Sequence, residues 1–110
     1  MYHIVYFLES MYHPDRHYIG YTTDLKKRLS YHNAGINQST KRYRPWKIIY
    51  AEAYLTKKDA LGREKFLKSG SGWKFLKKQL IYYFKEKNNI PLCASPEKED
   101  QKKTYSPILK

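Results

Sequence analysis

Two runs near the N-terminus decide the fold: Tyr2-His3-Ile4-Val5-Tyr6-Phe7-Leu8 and, after a turn, His17-Tyr18-Ile19-Gly20-Tyr21. Along the first, Tyr2, Ile4, Tyr6 and Leu8 share one face of an extended chain, and His3, Val5 and Phe7 share the other. Aromatic and β-branched residues on both faces predict a central strand, covered above and below. His13-Pro14-Asp15 is a turn signal, and the second run predicts a short antiparallel partner, so the two form a hairpin.

Working outward, Thr22-Thr23-Asp24 supplies an N-cap and a first-turn acid for a helix running to about Asn33 and stopped by Gly35. Gly35 to Pro45 is a loop with a basic run, and Trp46 to Tyr54 alternates as a third strand. Thr56-Lys57-Lys58-Asp59 opens a second helix in a capping-box-like pattern, ending near Gly70. Gly70-Ser71-Gly72 is expected to break the chain. A third helix is expected from Trp73 to about Lys87, with Trp73, Leu76, Leu80 and Phe84 on one stripe. The reading is an α/β (α+β) domain over 1–87, order β-β-α-β-α-α. Residues 88–110 read as a C-terminal tail, either disordered or docked through Ile90, Leu92 and Ile108-Leu109.

One domain's worth of chain, 110 residues, excludes a multidomain machine. Twenty-two Lys and Arg against ten Asp and Glu give +12. Residues 1–87 carry 18 basic and 7 acidic side chains, so the excess belongs to the folded part. Such a surface attracts polyanions, nucleic acid being the commonest, with an anionic membrane or an acidic protein as alternatives. The single cysteine, Cys93, excludes an internal disulfide and a multi-thiol zinc site, which fits a reducing compartment. No apolar stretch approaches spanning length, and the start of the chain lacks signal-peptide character; the expectation is a cytoplasmic protein with no membrane contact.

Several ionisable residues sit beside apolar ones. On the first helix, Leu25, Arg28, Leu29 and His32 occupy one face, so Arg28 and His32 flank the core-facing stripe. On the second, Ala60, Leu61, Glu64 and Leu67 form an apolar face with Glu64 in its middle. A carboxylate brought toward a core must be paired, protonated or bound to a cation. Arg28 and Glu64 therefore read either as a buried ion pair, with His32 a satisfied core histidine, or as members of a site. Tyr6 and Tyr18, on adjacent strands, read either as cross-strand packing or as phenols made useful by a nearby cation.

The order Ile4-Val5-Tyr6, then Tyr18-Ile19-Gly20 twelve residues later, then Tyr21-Thr22-Thr23-Asp24-Leu25-Lys26-Lys27-Arg28-Leu29, resembles the GIY-YIG nuclease family. The likeness continues through His32-Asn33-Ala34-Gly35, Ser39-Thr40-Lys41, Arg44-Pro45-Trp46-Lys47 and the segment from Ala60 to Lys68, covering residues 2 to about 80. It is similar to small stand-alone bacterial members, which resemble the N-terminal catalytic domain of the incision subunit of nucleotide-excision repair. The first motif lacks its glycine, and Gly70-Ser71-Gly72-Trp73 offers no counterpart to an asparagine found in several branches of the family.

The resemblance implies a small three-stranded antiparallel sheet flanked by helices and a one-metal phosphodiesterase. It further implies that Tyr6 is the general base or orienter of the attacking water, with Tyr18 beside it. Arg28 steadies the scissile phosphate, His32 assists Tyr6, and Glu64 holds Mg²⁺ or Mn²⁺. Lys41, Arg42, Arg44 and Lys47 border the loop after the first helix, and Lys68 and Lys74 border the glycine break; all six are candidate phosphate contacts. The expected function is a metal-dependent endonuclease on duplex or branched DNA, structure-selective or weakly sequence-specific, in repair or recombination. The alternative is a non-catalytic nucleic-acid-binding or adaptor domain retaining the fold. In either case affinity for DNA should fall steeply as salt rises in a titration, and binding indifferent to ionic strength would contradict the electrostatic reading.

Overall fold

A computed structural model describes residues 1–88 and 108–109. The central strand is β1 (His3–Ser10), flanked by β2 (His17–Thr22) and β3 (Trp46–Tyr54), both antiparallel to it. Tyr6 faces Gly20 and Leu8 faces Tyr18 across the β1–β2 hairpin. On the other side the pairing shifts between Phe7, opposite Tyr50, and Leu8, opposite Ile48, leaving Ile49 as the extra residue of a bulge. A two-residue strand, β4 (Ile108–Leu109), pairs parallel to the outer edge of β2. The docking expected at Ile90 and Leu92 lies outside the described residues.

Alternation along β1 feeds two cores. Tyr6 and Leu8 are buried with Trp46 on one face, where α1 (Leu25–Asn33) contributes Leu25 and Leu29. Val5 and Phe7 are buried with Ile19 on the other, against Ala60 of α2 (Lys57–Leu67), Leu67, and Leu76 of α3 (Gly70–Gln79). Phe84 of α4 (Ile81–Asn88) packs on the same cluster. Each fully buried apolar side chain contributes about 1.5–3 kcal/mol, and these two clusters fix the register of the hairpin.

Three expectations are corrected. The α1 cap is Asp24 itself, whose carboxylate accepts from the Lys27 N–H at 3.1 Å, while Thr22 Oγ1 accepts from the Asp24 N–H. Gly70-Ser71-Gly72 does not break the chain. Ser69 caps α3 by accepting from the Gly72 N–H at 3.1 Å, so the glycines form the helix's first turn. Gly72 is required there because a Cβ would collide with the Phe66 carbonyl and the Leu67 backbone, where α2 and α3 meet. The single helix expected from Trp73 to Lys87 is instead two, interrupted at Leu80 (φ −109°, ψ 34°). The stripe of Trp73, Leu76, Leu80 and Phe84 still faces the core.

The bend at Leu80 lets α4 reach a carboxylate that β1 buries. Glu9, 1% exposed, accepts from His17 Nε2 at 2.9 Å, from the Tyr83 hydroxyl and from Lys87 Nζ; Lys87 also donates to the Pro14 carbonyl. Burial pushes the Glu9 carboxyl up, but the hydrogen bonds from His17, Lys87 and Tyr83 override it and hold the group at about 2. An unsatisfied buried carboxylate would cost several kcal/mol, so this network offsets one irregular helical residue.

Because the folded value lies below the ordinary 4.5, the unfolded chain takes up this proton first. The contribution is therefore complete above pH 4.5 and is lost as the pH falls toward 2. Glu9→Gln should destabilise the protein by about 3 kcal/mol at neutral pH and flatten the acid limb of its melting curve. An acid limb unchanged by the substitution would refute this role for Glu9.

Candidate active site

On the face of the sheet covered by α1, Tyr6 is 2% exposed and its hydroxyl lies 2.8 Å from Nε2 of His32, which is fully buried. The imidazole comes from the last turn of α1 because Leu25 and Leu29, seven and three residues earlier, are seated in the sheet. Its other nitrogen, Nδ1, lies 2.8 Å from Thr40 Oγ1. The Thr40 carbonyl in turn accepts from the Trp46 indole N–H at 2.8 Å. Tyr18 completes the group, its ring centroid 4.9 Å from that of His32 and 6.2 Å from that of Tyr6.

Arg28 and Glu64 bring charge to this cluster. They are not an ion pair: Arg28 packs over the Tyr31 ring at 5.3 Å, and Glu64 bridges Lys68 at 3.2 Å. Arg28 has no carboxylate within salt-bridge distance among the described residues. Burial pushes the Tyr6 phenol well above its ordinary value, helped by Tyr18 and Glu64 and opposed by Arg28. Burial, with the Arg28 charge second, pushes His32 down to about 4. At neutral pH the pair is a neutral phenol against a neutral imidazole, with an unpaired guanidinium and a carboxylate within electrostatic reach of the phenol.

The model of the GIY-YIG catalytic domain matches residues 2–78. The chain belongs to the GIY-YIG family. It is 45% identical over 53 residues to a UPF0213 protein of Streptococcus pneumoniae serotype 4, covering 47% of this chain and 54% of that protein. It is 40% identical over 73 residues to the UPF0213 protein YazA of Bacillus subtilis, covering 66% of this chain and 69% of YazA. The chain thus spans about half the length of the streptococcal relatives it matches. A solution NMR structure of a UPF0213 protein from Bacillus halodurans is 28% identical, with a TM-score of 0.41, covering 96% of this chain and 100% of that one.

Within this GIY-YIG domain the other four residues singled out for chemistry gather around Tyr6: Tyr18 and His32 by contact, Arg28 and Glu64 through their charge. Of the candidate phosphate contacts, Lys41, Arg42 and Arg44 line one open pocket with Gln38. Lys47 does not line it. Its ammonium lies 3.9 Å from Glu9 and over the Tyr83 ring. Lys68 is tied to Glu64, and Lys74 is exposed on α3. Leu61, expected on the apolar face of α2, is 40% exposed, so only Ala60 and Leu67 of that set reach the core.

No group of three or more His, Cys, Asp or Glu residues able to hold a metal occurs among the described residues. That donor set does not suit zinc, which takes three or four protein ligands. It suits a hard divalent cation that keeps most of its waters and takes one carboxylate from the protein. Glu64, half-buried and bridged by a long, flexible Lys68, fits such an ion.

Gly20 in the second motif now has a physical reason. The Tyr6 phenol lies across it, so a Cβ there would overlap Tyr6 Oη and Cζ and come within 2.9 Å of the Tyr18 ring. Since His32 holds the phenol in place, Gly20→Ala should displace it and destabilise the fold by about 1–3 kcal/mol, read as a lower denaturation midpoint. An unchanged midpoint would show that the phenol is free to move aside.

Proposed function

We propose that this chain is a divalent-metal-dependent endonuclease that hydrolyses DNA phosphodiester bonds, structure-selective or weakly sequence-specific. The observation that carries the reading is the buried Tyr6–His32 hydrogen bond with an unpaired Arg28 and a weakly held Glu64 beside it. A nucleic-acid-binding adaptor could still use Arg28 for phosphate, but it has no proton to move along a buried phenol–imidazole pair.

In the resting protein the proton stays on Tyr6, because the phenol is pushed up and the imidazole down to about 4. Burial is the largest cause of both shifts, and ligands act only on the charge contributions. A phosphate on Arg28 offsets the charge that lowers His32, and its oxygens match the planar fork of the guanidinium. Glu64 would hold a divalent cation, whose charge there would offset the carboxylate that helps to raise Tyr6. Tyr6 then passes its proton to His32 Nε2 and takes one from the attacking water, whose oxygen bonds to phosphorus as the bond to the 3′-oxygen breaks. The leaving oxygen takes a proton from solvent. The chemistry a divalent ion supplies at Glu64 is neutralisation of charge on the phosphoryl and leaving oxygens. Lys41, Arg42 and Arg44, exposed around one pocket, give sequence-independent grip on the flanking phosphates.

The decisive assay is Mg²⁺-dependent nicking of duplex, flap and branched DNA by the wild type, Tyr6→Phe and Glu64→Ala. Tyr6→Phe should lose about 100- to 10,000-fold in rate, and Glu64→Ala should lose its metal response. A wild type that binds every substrate and cuts none would establish the adaptor reading. Cleavage that survives both substitutions would belong to a contaminating enzyme.

A further inference from the structure

Neutral imidazole has two tautomers, and only one lets His32 take a proton from Tyr6. Nε2 must be bare, so Nδ1 must carry the hydrogen and have an acceptor. That acceptor position is held by Thr40 Oγ1, 2.8 Å away and fully buried. The Thr40 hydroxyl has an outlet for its own hydrogen in the Asn37 carbonyl at 3.5 Å, and the hydroxyl of Tyr6 finds an acceptor in His32 Nε2 when that nitrogen is bare. Both hydroxyls donate within the protein only when the hydrogen sits on Nδ1. In the opposite tautomer Thr40 would donate to Nδ1, and the Tyr6 hydroxyl would have its hydrogen directed away from the imidazole.

Thr40 itself cannot easily shift. Its N–H donates to the Asn37 carbonyl at 3.3 Å, and its carbonyl accepts from the Trp46 indole. Trp46 is 1% exposed, and its backbone N–H and C=O are both bonded to the side chain of Asn33, the residue after His32. The loop that carries Thr40 is thus fastened back onto the end of the helix that carries the imidazole.

We infer that Thr40 is a positioning residue for catalysis: its hydroxyl accepts from His32 Nδ1 and so keeps Nε2 free to receive the Tyr6 proton. The inference rests on the proposed nuclease activity for its kinetic consequence but not for its structural one. Thr40 is also the residue immediately before the Lys41–Arg44 phosphate-contact segment, so the same loop sets the imidazole and meets the DNA.

The test uses the full chain with Thr40→Val, which keeps the shape and removes the oxygen, and Thr40→Ser, which keeps the hydroxyl. Nitrogen NMR of the His32 imidazole reads the tautomer without any reaction. The wild type and Thr40→Ser should show a protonated Nδ1 and a bare Nε2, and Thr40→Val should populate the other form. In nicking assays Thr40→Val should lose about 10- to 100-fold in kcat with KM for DNA unchanged, and Thr40→Ser should regain most of it. A protonated Nε2 in the wild type overturns the inference, whether or not Thr40→Val folds. So does a Thr40→Val protein whose tautomer matches the wild type. A wild type with the expected tautomer that cuts no DNA leaves Thr40's placement of the hydrogen standing and overturns the nuclease reading instead.

Discussion

Strand β1 is buried on both faces, and everything else is arranged to cover it. Because side chains alternate along a strand, one eight-residue segment must satisfy two different environments at once. Val5, Phe7 and Glu9 point toward the helices α2 to α4, while Tyr6, Leu8 and Ser10 point toward α1 and the loop after it. The strand also carries a polar residue into each interior, Glu9 into one and the Tyr6 hydroxyl into the other. Neither can be left unpaired, so each face had to acquire a histidine: His17 for Glu9 and His32 for Tyr6.

The two histidines are buried alike but sit in different electrostatic company. His17 lies in an aromatic box, its ring 5.0 Å from Phe7, 5.5 Å from Trp73 and 6.0 Å from Phe84, and its Nε2 is committed to a carboxylate. Lys87, Tyr83 and, at longer range, Lys47 close the other sides of that carboxylate. Charge there is balanced and sealed, so the cluster pins α4 to the sheet. His32 instead faces a neutral phenol, and the charges nearest to that phenol, Arg28 and Glu64, do not neutralise each other. Glu64 is bridged by Lys68 instead, so the charge around this hydrogen bond is not sealed as it is around Glu9.

The sequence shows the sheet plainly, because both faces of residues 3–8 and the hairpin turn carry strong local signals. The helix boundaries were less legible for reasons visible in Ser69, Leu80 and Glu9. Glycines normally end helices, yet a serine cap just before Gly70 starts one, and the requirement for close packing at Gly72 appears only once α2 and α3 are set side by side. The bend at Leu80 answers a buried carboxylate more than seventy residues earlier, which no local pattern reports. The candidate residues that the fold brings around Tyr6 stood out in the sequence because each interrupts an apolar stripe or completes a motif. Thr40 is marked only as a member of the Ser39-Thr40-Lys41 likeness, with no role attached. It sits among turn residues with no period, and its importance arises only from the folding of the loop back onto His32.

The placement of charge follows from the same economy of a small domain. A +12 chain that spread its cations evenly would bind polyanions without aligning them. Here Lys47 and Lys87 are drawn inward by Glu9, Arg63 is bidentate to Glu52, and Lys68 is held by Glu64. Lys41, Arg42 and Arg44 line one pocket, and Arg28 on α1 has no carboxylate within salt-bridge distance among the described residues. Carboxylates therefore shape the field by subtraction, holding some cations and leaving others without a salt bridge among the described residues. The loop bearing this pocket is bonded through Thr40 to the buried imidazole, whose other nitrogen meets the Tyr6 hydroxyl.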